Sequence, residues 1–152
     1  MATIRLHEAT TLTPEQYIAG LTDFGPGRSE VFSNSADDYL VVHNSGATDA
    51  DVTEGSGGVW ERLHYDWSDP TRVVLKTTDS NVWSGASGYT YTFTRSPDGA
   101  TNVNVVIVRA GKNAKGRILG LVLGTVGKRV LKKSFEQSVK TIEARKEGAP
   151  PA

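Results

Sequence analysis

Residues 115–133 read KGRILGLVLGTVGKRVLKK, an apolar run punctuated by glycines and closed at both ends by positive charge. Such a stretch is either a membrane anchor or a wall inside a water-soluble fold. Length decides between them, because the uninterrupted apolar part, Ile118 to Gly127, is about half of the roughly 20 residues needed to span hydrocarbon. Lys128, Arg129, Lys132 and Lys133 follow it, as they would in a helix lying in an interface, but basic residues late in an amphipathic helix are ordinarily a solvated face. The stretch therefore reads as the first half of a long helix over about 114–145. Leu131, Phe135, Val139 and Ile142 would form its core face.

Gly116, Gly120, Gly124 and Gly127 lie three or four residues apart on this helix and form one stripe. Each glycine inside a helix costs about 0.8–1.0 kcal/mol relative to alanine. Two things can offset that cost: close approach to another backbone, or room beneath the helix for a ligand. The spacing is read here as an interior wall, thin in its first half over a cavity and bulky in its second half over the core. Tight packing with no cavity is the competing reading.

Upstream, TIRLHEATTL alternates apolar and polar residues as a half-buried strand does, and then meets a helix start. Thr13, Pro14 and Gln16 form a capping-box pattern at the head of TPEQYIAGLTDF, which Gly25-Pro26-Gly27 ends; RSEVFSNS is a second short helical turn. Strand patterns then recur near 38–44, 49–54, 58–67, 71–79, 87–96 and 101–110, separated by turn residues such as Ser68-Asp69-Pro70 and Ser96-Pro97-Asp98-Gly99. A seven-stranded antiparallel sheet with its helices gathered on one face is an α+β arrangement. One domain over 1–147 and a flexible tail over 148–152 are expected.

Turns set register, and register sets which side chains share a face. Across the Ser96–Gly99 turn, Phe93 faces Val103, Tyr91 faces Val105, Tyr89 faces Ile107 and Ser87 faces Arg109. Across Ser68–Thr71, Trp67 faces Val73, Tyr65 faces Leu75, Leu63 faces Thr77 and Glu61 faces Asp79. Side by side, the hairpins give three apolar and aromatic rows and a fourth made of Glu61, Asp79, Ser87 and Arg109. Glycine-rich loops lie at that wet end. A charged row beside an apolar interior resembles a ligand mouth; a structural ion pair from Arg109 to Glu61 or Asp79 is the alternative.

Totals exclude other classes. Lys and Arg balance Asp and Glu at 17 each, so no global field draws nucleic acid. The absence of cysteine removes disulfides and thiolate chemistry, and the first residues lack a signal-peptide pattern, so a cytoplasmic setting is expected. His7, His43 and His64 are scattered with no metal-ligand spacing, and no phosphate-cradling loop or hydrolase triad is visible; neither a metal nor a cofactor is expected.

The stretches GVWERLHYDWSDPTRVVLKTTDS, SGYTYTFTRSPDG and KGRILGLVLGTVGKRVLKKSFEQSVKTIEAR, in this order, resemble the START-like superfamily, in particular its bacterial polyketide cyclase/dehydrase-type members, from Thr3 to Arg145. The resemblance implies a helix-grip fold: a curved seven-stranded sheet around a long C-terminal helix, with two short helices closing one end and an apolar cavity near the start of the long helix. Such proteins bind lipids, sterols, hormones or aromatic polyketides, and a minority are enzymes. No cyclase motif is matched, so no catalytic residue is assigned. The expected ligand-binding set is Glu61, Leu63, Tyr65, Thr77, Asp79, Trp83, Tyr89, Tyr91, Val105, Ile107, Arg109, Leu119 and Leu123. The expected partner is a small hydrophobic molecule, with no nucleic acid and no integral membrane association, bound by a monomer or homodimer. A cyclase or dehydratase using Glu61 or Asp79 as base and Arg109 as stabiliser is the alternative, and an interaction protein with a vestigial cavity is a third.

Overall fold

The structure is a computed structural model, and it describes residues 1–148. Its elements are β1 (Ala2–Thr10), α1 (Pro14–Leu21), α2 (Arg28–Val31), β2 (Val41–Ser45), β3 (Asp49–Ser56), β4 (Val59–Asp66), β5 (Arg72–Ser80), β6 (Gly88–Arg95), β7 (Thr101–Arg109), α3 (Ala114–Gly124) and α4 (Lys128–Gly148). The strands form one antiparallel sheet in the order β1-β7-β6-β5-β4-β3-β2, so only β1 leaves its place in the chain to pair at the far edge beside β7. The sheet is curved and its helices cover the concave face, the α+β arrangement expected from the strand and helix pattern and the helix grip that the resemblance implies. The expected tail begins at Gly148, which ends α4; residues 149–152 lie outside the described residues.

Local signals place the first helix. Thr13 Oγ1 accepts from the Gln16 amide at 3.2 Å while the Gln16 side chain accepts from the Thr13 amide at 2.8 Å, closing the capping box. Alternation does the same for the strands. Ile4, Leu6, Val52, Leu63, Tyr65, Val73, Leu75, Phe93, Val103 and Val105 are buried on the inner face, against Tyr17, Ile18 and Leu21 of α1 and Phe135, Val139 and Ile142 of α4. Burying each large apolar side chain contributes about 1.5–3 kcal/mol, so this contact between sheet and helix carries most of the fold's stability.

The register inside each hairpin is the one the turns imply: Tyr65 pairs with Leu75 and Leu63 with Thr77, and Tyr89, Tyr91 and Phe93 pair with Ile107, Val105 and Val103. Two expectations are corrected. Between the hairpins, Val73 faces Tyr91 and Leu75 faces Tyr89, a displacement of two residues from the rows laid side by side. The slip is even, so every side chain keeps its face. Within β4–β5, a bulge between Arg62 and Leu63 sets Asp79 opposite Arg62 and Ser80 opposite Glu61. An odd residue reverses the side, and Asp79 is exposed on the outer face rather than at the mouth.

The long terminal helix is also corrected: it is two helices, broken at Thr125–Gly127. The Gly127 amide returns to the Val122 carbonyl at 2.7 Å, and the Thr125 hydroxyl donates to the Leu121 carbonyl at 2.8 Å, so the turn satisfies the last carbonyls of α3. A Cβ on Gly127 would come within 2.9 Å of Leu123 Cα, which requires glycine in this elbow. The glycine stripe belongs to close approach, not to the cavity. Gly116 lies against the Val82 carbonyl, Gly120 against the Arg109 carbonyl and Trp83, and Gly124 against Ala2.

Candidate functional site

Beside that stripe, α3 and the head of α4 turn Leu119, Val122, Leu123 and Leu131 towards the sheet and roof a cavity of about 280 Å³. Its other walls are Glu54, Gly55 and Ser56 of β3, Val59, Trp60, Glu61 and Leu63 of β4, Tyr89 of β6, Ile107 and Arg109 of β7, with Asn34 and Trp83 from loops. The walls are mainly apolar and the charges are grouped at one end.

Arg109 is the centre of that end. Its Nη1 donates to Glu61 Oε1 at 3.0 Å and Oε2 at 3.2 Å, and its Nε donates to the Val108 carbonyl at 2.9 Å. The guanidinium lies between two rings, 4.9 Å from the centroid of Trp83 and 4.7 Å from that of Tyr89. Burial works against its charge, but Tyr89 and Glu61 outweigh burial and hold its pKa above the usual arginine value. The Nη2 atom is buried without a partner. An unsatisfied buried donor costs about 1–3 kcal/mol.

Polar side chains at the end of β5 and the start of α3 hold this arrangement in place. Ser80 Oγ donates to the Trp60 carbonyl at 2.7 Å and accepts from the Val82 and Trp83 amides at 3.1 and 3.0 Å, which seats Trp83 in the wall. Asn113 caps α3 by accepting from the Gly116 amide at 2.9 Å and ties it to the Asn81 carbonyl.

A second buried pair lies one strand away. Glu54 and Glu61 are cross-strand partners, and Glu54 Oε1 accepts from Arg28 Nε at 2.6 Å and from Ser35 Oγ at 2.8 Å. Its other oxygen accepts from the Tyr65 hydroxyl, which also receives Arg28 Nη2 at 3.0 Å. Arg28 is stacked on Phe24 and Phe32 at 4.6 and 4.8 Å.

Of the residues expected to bind ligand, Glu61, Leu63, Trp83, Tyr89, Ile107, Arg109, Leu119 and Leu123 border the cavity. Tyr65, Thr77, Tyr91 and Val105 are on the same face but elsewhere. Tyr65 is engaged by Glu54 and Arg28, Thr77 Oγ1 donates to Glu61 Oε2 at 2.9 Å, Tyr91 packs on Tyr17, and Val105 is in the core. Glu54, Trp60 and Asn34 were not anticipated. Glu54 was legible, since it shares a strand face with Ala50 and Val52; Asn34 is in an irregular loop that no periodicity marks. The histidines are on outer surfaces, bonded to Asn102, Thr53 and Asp51.

Burial pushes Tyr89 up to about 12 and holds Tyr17, Tyr65 and Tyr91 well above the usual tyrosine value. Unfolded tyrosine ionises near about 10, so the unfolded chain loses protons first. The stability these phenols contribute is fully present below about pH 10 and is lost as pH rises through the folded values. A spectrophotometric titration should show their tyrosinate absorbance rising together with loss of near-ultraviolet circular dichroism. A reversible rise near about pH 10 amounting to more than one tyrosine, with the fold intact, would contradict their burial.

Solved structures share this architecture across nearly the whole chain. The Zhui aromatase/cyclase from Streptomyces sp. R1128 superposes with a TM-score of 0.70 at 10% identity, covering 99% of this chain and 98% of its own. A START superfamily protein from Mycobacterium smegmatis superposes at 0.67 with 9% identity, covering 93% and 99%. The Aha1 dimer from Colwellia psychrerythraea gives 0.61 at 12% identity, covering 95% and 96%. No protein-family model and no curated protein sequence matches the chain. The chain thus has the helix-grip fold of START-like proteins, of the form also seen in polyketide aromatase/cyclases.

Proposed function

We propose that the protein binds a small, mainly apolar molecule bearing one acceptor group, with its body among Leu63, Ile107, Leu119 and Leu123 and its acceptor at Arg109. The mainly apolar cavity with the Arg109–Glu61 pair grouped at one end is the observation that carries this reading. About 280 Å³ is close to the lower end of the roughly 300–1,000 Å³ of ligand sites, which favours a compact, ring-bearing molecule over an extended acyl chain. A cytoplasmic setting belongs to the same proposal, since a chain without cysteine has no disulfide to keep oxidised. So does action as a monomer or homodimer.

The test is native mass spectrometry of the freshly purified protein for a retained small molecule, followed by titration with anilinonaphthalene sulfonate, an aromatic anion. Arg109→Met with Glu61→Gln, which leaves no unpaired charge, should weaken the probe about tenfold or more, and Leu123→Trp should abolish its binding by filling the cavity. Equal affinity for parent and both variants would defeat the reading.

An enzyme of cyclase or dehydratase type is the second reading, favoured by Glu54 and Glu61 standing as neighbours beside Arg109. Asp79, on the outer face, is no part of it. In that case Glu61→Gln would lower turnover of an aromatic polyketide substrate far more than its affinity.

A further inference from the structure

α3 and the elbow after it expose apolar side chains that nothing in the fold covers. Ile118 is 63% exposed, Leu121 69%, Val126 76% and Val130 68%. Ile118 and Leu121 lie one turn apart on α3, Val126 is in the elbow and Val130 is in the first turn of α4, so they border one continuous bend. Isolated surface apolar residues need no explanation, but a contiguous set of large ones does.

Charge identifies what covers them. The whole chain is neutral, with 17 cations against 17 acids, yet no aspartate or glutamate occurs between Asp98 and Glu136. Lys115, Arg117, Lys128, Arg129, Lys132 and Lys133 all fall in that interval and all are exposed, with Lys132 near Glu8 and Glu136. Glu30, which shares a groove with Val130 and Lys133, is engaged by Arg145 at 2.9 Å. A second copy of this chain is a poor occupant, because a two-fold contact would press this cation cluster against itself. A flat anionic surface with an apolar interior satisfies both features.

We infer that the α3–α4 bend docks the protein on an anionic lipid bilayer, with Leu121 and Val126 entering the headgroup region and the flanking lysines and arginines meeting lipid phosphates. No helix among the described residues is long and apolar enough to cross a membrane, so the contact is peripheral. Val122, 43% exposed, borders both the bend and the cavity. Lipid docking uses this surface alone and does not depend on what the cavity holds.

Flotation of the full chain with phosphatidylcholine vesicles, with and without phosphatidylglycerol, tests it. Binding is expected only to the anionic vesicles and is expected to fall with salt. Each cation near an anionic surface is worth about fivefold in affinity, so Lys128→Gln with Arg129→Gln should weaken binding about 25-fold. Leu121→Asp with Val126→Asp should weaken it about tenfold or more with the charges intact. Val126→Trp should give blue-shifted emission on vesicles; all these positions are exposed, and unchanged circular dichroism verifies folding. Absence of binding to anionic vesicles at low salt would overturn the inference. So would a dimer dissolved by Leu121→Asp with Val126→Asp while vesicles go unbound, or duplex DNA bound as tightly as vesicles and indifferent to the apolar substitutions.

Discussion

Replacing Arg28 with methionine is expected to destabilise the protein by about 3–5 kcal/mol, the cost of leaving a buried charge without its partner. Arg28 is inside the fold, where Nε meets Glu54, Nη1 donates to the Asp23 carbonyl at 2.7 Å and Nη2 reaches Tyr65. Methionine fills much of the same volume between Phe24 and Phe32, so little of the loss comes from a void. The loss arises at Glu54, which keeps Ser35 and Tyr65 as donors but has no cation. Adding Glu54→Gln to Arg28→Met should therefore recover most of the stability, because removing both charges of a buried pair is often near neutral. Urea unfolding of the two single variants and the double measures the coupling. A loss below about 1 kcal/mol for Arg28→Met would mean that water reaches the pair, as it does for surface ion pairs.

Gly116→Ala is expected to destabilise by about 1–3 kcal/mol although alanine is the better helix former. Propensity alone predicts a gain of about 0.8–1.0 kcal/mol. The new Cβ, however, would overlap the Val82 carbonyl oxygen, part of a backbone pinned by the Lys112 amide at 2.9 Å and by Ser80. Neither side can withdraw cheaply. Gly120→Ala is the control: its Cβ would be 3.4 Å from the Arg109 carbonyl and 3.6 Å from Trp83, ordinary contact that leaves the propensity gain mostly intact. Opposite shifts of the melting midpoint are expected, each kcal/mol moving a chain of this size by roughly 2–4 °C. A gain in both variants would show that the start of α3 is looser than the close approach to Val82 requires.

The two glycines also show how far the sequence could be read. Their spacing marked a helix face that needed a reason, and close approach was one of two reasons considered. Whether the neighbour is backbone or empty space depends on Val82 and Arg109, which no local pattern connects to the helix. The break at Thr125–Gly127 escaped notice for a related cause. Glycine weakens a helix at every position of the stripe, and only the elbow's bond to Val122 and its tight contact with Leu123 select where it ends.

Register divides in the same way. The short turns at Ser68–Thr71 and Ser96–Gly99 set their hairpins, so the pairs of Tyr65 with Leu75 and Tyr91 with Val105 were legible. The longer connection from Asn81 to Ser87 imposes no such rule, and there the rows are displaced by two. Asp79 was lost to the bulge at Arg62 and Leu63, which reverses the side of everything beyond it.

Side-chain period and turn chemistry among near neighbours were enough to fix the strands, the capped first helix, the strand faces up to the bulge in β5 and the ends of each tight hairpin. The composition of the site comes from contacts between distant segments. The hairpin rows left Arg109 a choice of Glu61 or Asp79 and the fold gives it Glu61, whereas Arg28 meets Glu54 across 26 residues from a segment that no register links to the sheet. A buried charge must find its counter-charge wherever the chain folds it, and sequence spacing carries no record of that distance.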